Sequence, residues 1–120
     1  MAEFKLTNKA VDDLSIIWDY TYEVWSENQA DKYYESIISN CQEIADNPNL
    51  GKSYDGITQN IFGMKTNRHI IFYRAIDEHY VEITRILHER MDFSVYFVVS
   101  FYHTKRIQLT FSRCQFSIIK

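Results

Sequence analysis

Between positions 62 and 92 the chain reads FGMKTNRHIIFYRAIDEHYVEITRILHERMD, and Lys65, Arg68, Arg85, His88, Glu89 and Arg90 all fall inside it. A group able to move a proton, set among cations that steady a phosphate, is what attack of a 2′-hydroxyl on an RNA phosphodiester requires. Arg85, His88 and Arg90 are the residues that would surround the scissile phosphate in such a site. The same cations also suit a surface that only binds. Lys65, Arg68, His88 and Arg90 are the candidate target contacts, the first two flanking a tight turn and the others following a strand. Histidine titrates near neutrality, so His88 could carry a proton; a structural hydrogen bond or an interface contact asks less of it. For Lys65 and Arg68 simple solvation is the alternative. For Arg74 and Arg85, inside strands, the alternative is an ion pair across the sheet, with Glu82 and Thr84 as polar neighbours, worth about 0 to 1 kcal/mol when exposed.

Other residues of chemical interest read as scaffold. Trp18, Trp25, Tyr33 and Tyr34 have helical spacing, which favours packing against a sheet over a platform for bases. Cys41 lies in the same kind of stripe, with nothing nearby in sequence to lower its thiol pKa. Asp12, Asp13, Asp19 and Glu23 read as a solvated helix face. No carboxylate and histidine cluster has metal-ligand spacing, so neither a metal nor a cofactor is expected.

The elements that must position the cations follow from periodicity. Residues 3–6 alternate polar and apolar, which predicts a short opening strand, and Thr7 or Asn8 offers a helix cap. Val11, Leu14, Ile17, Trp18 and Trp25 recur at three- and four-residue steps, predicting a helix over 9–25. Ser26 and Gln29 have capping-box spacing, so a second helix should start there and stop at Asn47 and Pro48, with Ala30, Tyr33, Tyr34, Ile37, Ile38, Cys41, Ile44 and Ala45 as its stripe. Two amphipathic helices with almost no loop make an antiparallel hairpin. Residues 50–60 read as a loop. The β-branched and aromatic runs 61–65, 69–76 and 80–87 read as strands whose short connections permit only antiparallel neighbours. The expected fold class is therefore α+β: a short N-terminal strand and a helical hairpin on a three- to four-stranded antiparallel sheet.

Composition bounds the rest. The chain has 120 residues, of which 46 % are hydrophobic, enough for one compact domain. Three Gly and one Pro leave no room for a Gly-rich phosphate cradle or a flexible linker. Two cysteines, Cys41 and Cys114, are too few for a disulfide framework, the N-terminus lacks a secretory apolar core, and no apolar run approaches the roughly 20 residues of a membrane span. A soluble, cytoplasmic protein is expected. The net charge of −3 is unevenly spread: residues 8–47 hold nine acids against Lys9 and Lys32. Residues 48–92 balance six against six, and 93–120 carry four basic groups and no acid. Such segregation favours a macromolecular partner and disfavours direct sequence-specific DNA binding.

Three blocks, FKLTNKAVDDLSIIWDYT, NIFGMKTNRHIIFYR and ITRILHERMD, resemble the RelE/ParE superfamily of bacterial toxins, nearest its ParE-like branch, over about residues 2–92. The resemblance implies the toxin of a type II toxin-antitoxin system, such as stabilises plasmids, neutralised by a cognate antitoxin whose segment folds onto the helix-hairpin groove and the sheet edge. ParE-like members inhibit DNA gyrase by binding and so arrest growth. RelE-like members instead cut messenger RNA on the ribosome, which is the alternative function, with Arg85, His88 and Arg90 as its catalytic set. A third reading is a degenerate toxin that retains only antitoxin binding. The Leu-His-Glu-Arg-Met-Asp string around His88 fits the ParE-like pattern better, so binding without catalysis is expected.

The expected division is a toxin domain over 1–92 and an atypical apolar and basic tail over 93–120, where ParE-like chains generally end. Fifteen of the tail's 28 residues are apolar, and 94–98 and 106–111 could alternate as strands. An added hairpin covering the sheet is one reading. The other, favoured by the lack of turn residues and acidic gatekeepers, is non-native sequence from a shifted reading frame. Tyr96, Tyr102 and His103 could be nominated by residue type, but no motif fixes their register.

Overall fold

The computed structural model describes residues 2–57 and 59–93, together with the backbone of 108–110. Strand β1 (Glu3–Thr7) leads directly into helix α1 (Asn8–Val24). The junction is a single residue: Thr7 Oγ1 accepts from Ala10 N at 3.1 Å and donates to Thr84 O at 2.8 Å. It thus caps the helix and ties it to the sheet, as its residue type predicts. Helix α2 (Glu27–Asp46) starts at the expected cap, with Ser26 Oγ accepting from Gln29 N at 3.1 Å. A 3-10 turn (Pro48–Leu50) and a two-residue strand β2 (Lys52–Ser53) occupy part of the expected loop. Strands β3 (Phe62–Thr66), β4 (His69–Asp77) and β5 (Tyr80–His88) follow. A last strand, β6 (Gln108–Thr110), lies inside the alternating segment 106–111. The expected strand over 94–98, Cys114, Tyr96, Tyr102 and His103 lie outside the described residues.

The sheet order is β2-β3-β4-β5-β1-β6. The α+β expectation holds, with one change in direction: β1 runs parallel to β5, pairing Glu3 with Tyr80 and Leu6 with Ile83. The short-loop rule for antiparallel pairing does not bind strands separated by a whole helical hairpin, and this pair escapes it. Ile71, Tyr73, Val81, Ile83 and Ile86 face the helices and join Leu14, Tyr34, Ile37, Cys41 and Ile44 in the main core. Ile61, Ile70, Phe72 and Leu87 form a second cluster on the reverse face, against Tyr54, Ile57 and Phe93. Gly51 lets the loop approach closely: a Cβ there would stand 2.5 Å from Tyr73 Oη and 2.7 Å from the Gly63 carbonyl. Tyr73 Oη receives the Gly51 N–H at 2.9 Å and donates to Pro48 O at 2.6 Å, which closes the chain onto the core.

Two expectations about α1 fail. Trp25, placed in the buried stripe by spacing, is 73 % exposed, because residues 24–29 form a hairpin tip that has run past the surface α1 packs on. Asp13, placed on a solvated face, is buried. The reason lies in the sheet: β1 accompanies β5 only as far as Ile83, and among the described residues no strand takes its place along β5 beyond that point. There Asp13 Oδ2 accepts from the Ile86 N–H at 3.0 Å and from Arg85 Nε at 2.7 Å, while Oδ1 accepts from Arg85 Nη2 at 2.7 Å. A carboxylate thereby satisfies an amide that no strand pairs among the described residues. Among the described residues no helix is long and apolar enough to cross a membrane.

Candidate functional site

The two-residue turn Asn67-Arg68 closes the β3 and β4 hairpin, with Thr66 opposite His69. Its sharpness requires a left-handed backbone at Asn67, φ 53°, which asparagine tolerates better than other side chains. The next ladder places His69 directly opposite His88, and Glu89 N donates to Arg68 O at 2.9 Å. That bond marks His69 and His88 as a non-hydrogen-bonded pair, the closer of the two antiparallel spacings. Their rings meet edge to face with centroids 5.3 Å apart.

Cations gather around this junction. Lys65 Nζ lies 2.9 Å from Glu89 Oε1, and both side chains are accessible. The Lys65 hydrogen bond holds the Glu89 carboxyl below its usual range, helped by the charge of Lys65 and the nearby His88 and Arg68. Arg68 and Arg90 are exposed, and His88 is half-buried with its Nδ1 accepting from Arg90 N at 3.2 Å. That bond leaves Nε2 of His88 as the ring nitrogen available to a partner. Lys65, Arg68, His88 and Arg90 therefore share one end of the sheet.

Arg85 does not join them. Its side chain is buried against Asp13, on the β5 edge, so the expected grouping of Arg85 with His88 and Arg90 around a phosphate is not the arrangement found. The physical cause is the Ile86 amide, which holds the Asp13 carboxylate at the β5 edge, where it draws the guanidinium inward. Arg74 stands opposite Glu82 in the β4 and β5 register, but its Nε is buried with no hydrogen-bond partner among the described residues. Cys41 is wholly buried and burial pushes its thiol pKa up, consistent with a packing role.

The sequence reading missed two members of the cluster. Tyr33, assigned to the core stripe, is half-buried and places its hydroxyl 2.7 Å from His69 Nδ1. Burial raises the Tyr33 pKa, whereas burial and then the charge of His88 lower that of His69 to about 4. His69 is thus neutral at pH 7. The signal for His69 was present: a two-residue turn at Asn67-Arg68 fixes its register, and a second histidine follows at the end of the next strand. The cluster can hydrogen-bond and present positive charge. Among the described residues no three His, Cys, Asp or Glu side chains converge as metal ligands.

Comparison with known proteins decides the family. The profile described as ParE toxin of type II toxin-antitoxin system, parDE, matches residues 4–93. The chain belongs to the ParE toxin family. A protein named Toxin ParE1 from Mycobacterium tuberculosis is 32 % identical over 91 residues, covering 76 % of this chain and 93 % of that one. Toxin ParE1 of Caulobacter vibrioides is 29 % identical over 92 residues, covering 77 % and 94 %. The fold matches a chain of a structure titled "Chromosomal ParDE TA system from P. aeruginosa", with a TM-score of 0.63 at 20 % identity, over 73 % of this chain and 96 % of the other. This ParE-family protein is the toxin component of a type II toxin-antitoxin system, and its partner is a cognate antitoxin.

Proposed function

We propose that this ParE-family toxin inhibits DNA gyrase in the cytoplasm by binding it, without itself making or breaking a covalent bond. The observation that carries this reading is the cationic end of the sheet, where Arg68 and Arg90 are exposed and Lys65 and His88 stand beside them. Its cations are accessible beside the flank of α2 that carries Tyr33 and Asn40, and they suit long-range attraction to a charged macromolecular target. The cleavage reading draws less support, since Arg85 is committed to Asp13 and reaches no phosphate shared with His88 and Arg90.

Supercoiling by purified gyrase tests the proposal. The toxin should inhibit it, and a Lys65→Glu, Arg68→Glu, Arg90→Glu variant should need about tenfold more protein or greater for the same effect, as expected when several steering charges are reversed. Unchanged supercoiling at large toxin excess would overturn the reading. Codon-phased cuts in primer extension on translated messenger RNA would replace it with the ribonuclease.

A further inference from the structure

Lys65, Arg68 and Arg90 stand on neighbouring strand ends: on β3, in the turn that leads to β4, and just past β5. With strands about 4.8 Å apart, the three spread over roughly 10 Å. Arg68 and Arg90 are exposed, and the Lys65 side chain is 64 % accessible. The tip that carries them is held in shape from behind, since Asn40 Nδ2 of α2 donates to Thr66 Oγ1 at 2.6 Å. His88 adds a neutral donor: its Nδ1 accepts from Arg90 N, which keeps the ring proton on Nε2. Apolar anchors are scarce here. Of the eight exposed large hydrophobic residues among those described, only Met91 belongs to this end of the sheet. The centre of a protein interface is depleted of charge and rich in aromatic side chains, which this patch is not. Phosphate contacts, by contrast, are made by Lys, Arg and other hydrogen-bond donors without an apolar centre.

We propose that Lys65, Arg68 and Arg90 contact the phosphate backbone of duplex DNA, so that the toxin meets gyrase while the enzyme holds its DNA, with this end of the sheet laid on the duplex. B-form DNA carries one negative charge for about every 1.7 Å of its axis, so a footprint of roughly 10 Å faces several phosphates. Two acids, Glu89 and Asp92, stand among the cations. Glu89 is tied to Lys65 at 2.9 Å, and a pair so exposed is weak, so a phosphate oxygen can take the carboxylate's place on the ammonium. The rest of the chain sets the orientation. Its net charge is −3, and residues 8–47 hold nine acids against two lysines, so the helices are repelled by the duplex that the turn attracts. Contacts of this kind position a protein without reading base sequence. The inference rests on the gyrase reading and adds to it the chemical group that the cations meet.

The test uses the full-length chain and a fluorescein-labelled DNA duplex, with binding followed by anisotropy and gyrase supercoiling measured alongside. The wild type should bind the duplex at low salt whatever its base sequence, and log affinity should fall against log salt with a slope of about −2 to −3, near −0.9 for each phosphate contacted. Arg68→Ala and Arg90→Ala should each flatten that slope by about one. Both side chains are exposed, so the circular dichroism spectrum should be unchanged. Glu89→Gln, which removes an acid facing the backbone, should tighten binding about threefold. A wild type that does not bind the duplex at low salt, or arginine variants that keep its slope, overturns the inference, and inhibited supercoiling in the same samples leaves the gyrase reading standing. If the arginine variants lose as much affinity for gyrase free of DNA as for the gyrase-DNA complex, the cations face the enzyme and the inference is overturned. Tighter binding to a single-stranded RNA of the same length overturns it in favour of an RNA target. Duplex binding beside unaffected supercoiling overturns the gyrase reading and leaves the phosphate contact standing.

Discussion

The Asp13 carboxylate is the residue on which the geometry of the β5 edge depends. It holds the Arg85 guanidinium through two bonds and also takes the Ile86 amide, all in a buried setting. Removing one partner of such a pair leaves the other charged and poorly solvated, at a cost of about 3–5 kcal/mol, while replacing both by apolar groups of similar size is far milder. Asp13→Asn should therefore lower stability in urea by about that amount, and Asp13→Leu with Arg85→Met should recover much of it; equal losses in the two would contradict the pair. His69 gives a second prediction, at the junction itself. Its pKa is depressed to about 4 from the ordinary 6.5, chiefly by burial. Below pH 6.5 the unfolded chain takes up the proton first, so this contribution to stability is full above that pH and is lost as pH falls toward 4. His69→Gln should show a shallower loss of Tm between pH 7 and 4.5 than the wild type, a comparison that cancels the carboxylates common to both. Lys65, Arg68, His88 and Arg90 were legible in the sequence because they stand beside turns and strand ends, where exposure follows from position. Arg85 and Asp13 were not, since their burial depends on where a strand far away in sequence stops.

The hairpin of β3 and β4 is what converts scattered cations into a surface, and its turn is set by one backbone angle. Asn67 adopts φ 53°, a region that costs ordinary L-residues about 1–2 kcal/mol and a β-branched one more. Asn67→Gly should be neutral or slightly stabilising, whereas Asn67→Val should cost about 1–2 kcal/mol in thermal denaturation and weaken gyrase inhibition without removing a single charge. If the valine variant keeps full stability, the turn does not fix the site. The same contrast explains what the sequence conveys about elements. Helix limits came out within a residue or two, because Thr7, Ser26 and Asn47 with Pro48 are local signals. The strands after residue 60 came out similarly well from β-branched runs and short breaks. The parallel pairing of β1 with β5, the two-residue strand β2 and the exposure of Trp25 did not. Each is decided by what lies opposite in space, and periodicity along one segment carries no record of it.

At the scale of the molecule, the hairpin separates the cationic end of the sheet from an exposed apolar stripe on α1. Tyr33 and Asn40 of α2 sit over His69 and Thr66, so α2 flanks the cationic end of the sheet, while the apolar stripe of α1 lies on the flank turned from α2. The charge division follows the same line, with acids concentrated in residues 8–47 and accessible cations at the turn and beyond β5. On the proposed function the cationic end meets gyrase through charge, and the apolar stripe of α1 lies apart from it. Changes on the two surfaces should then differ in effect. Reversing Lys65, Arg68 and Arg90 should abolish most gyrase inhibition, whereas changing Ile16, Tyr20 and Val24 to serine should leave it within about threefold, since distant sites without shared partners act nearly independently. Inhibition should also fall as salt rises, because charge steering is screened beyond about 10 Å at 0.1 M. Loss of inhibition in the serine variant would mean that the target reaches across to α1, and the cationic end would then be only part of the surface that meets it.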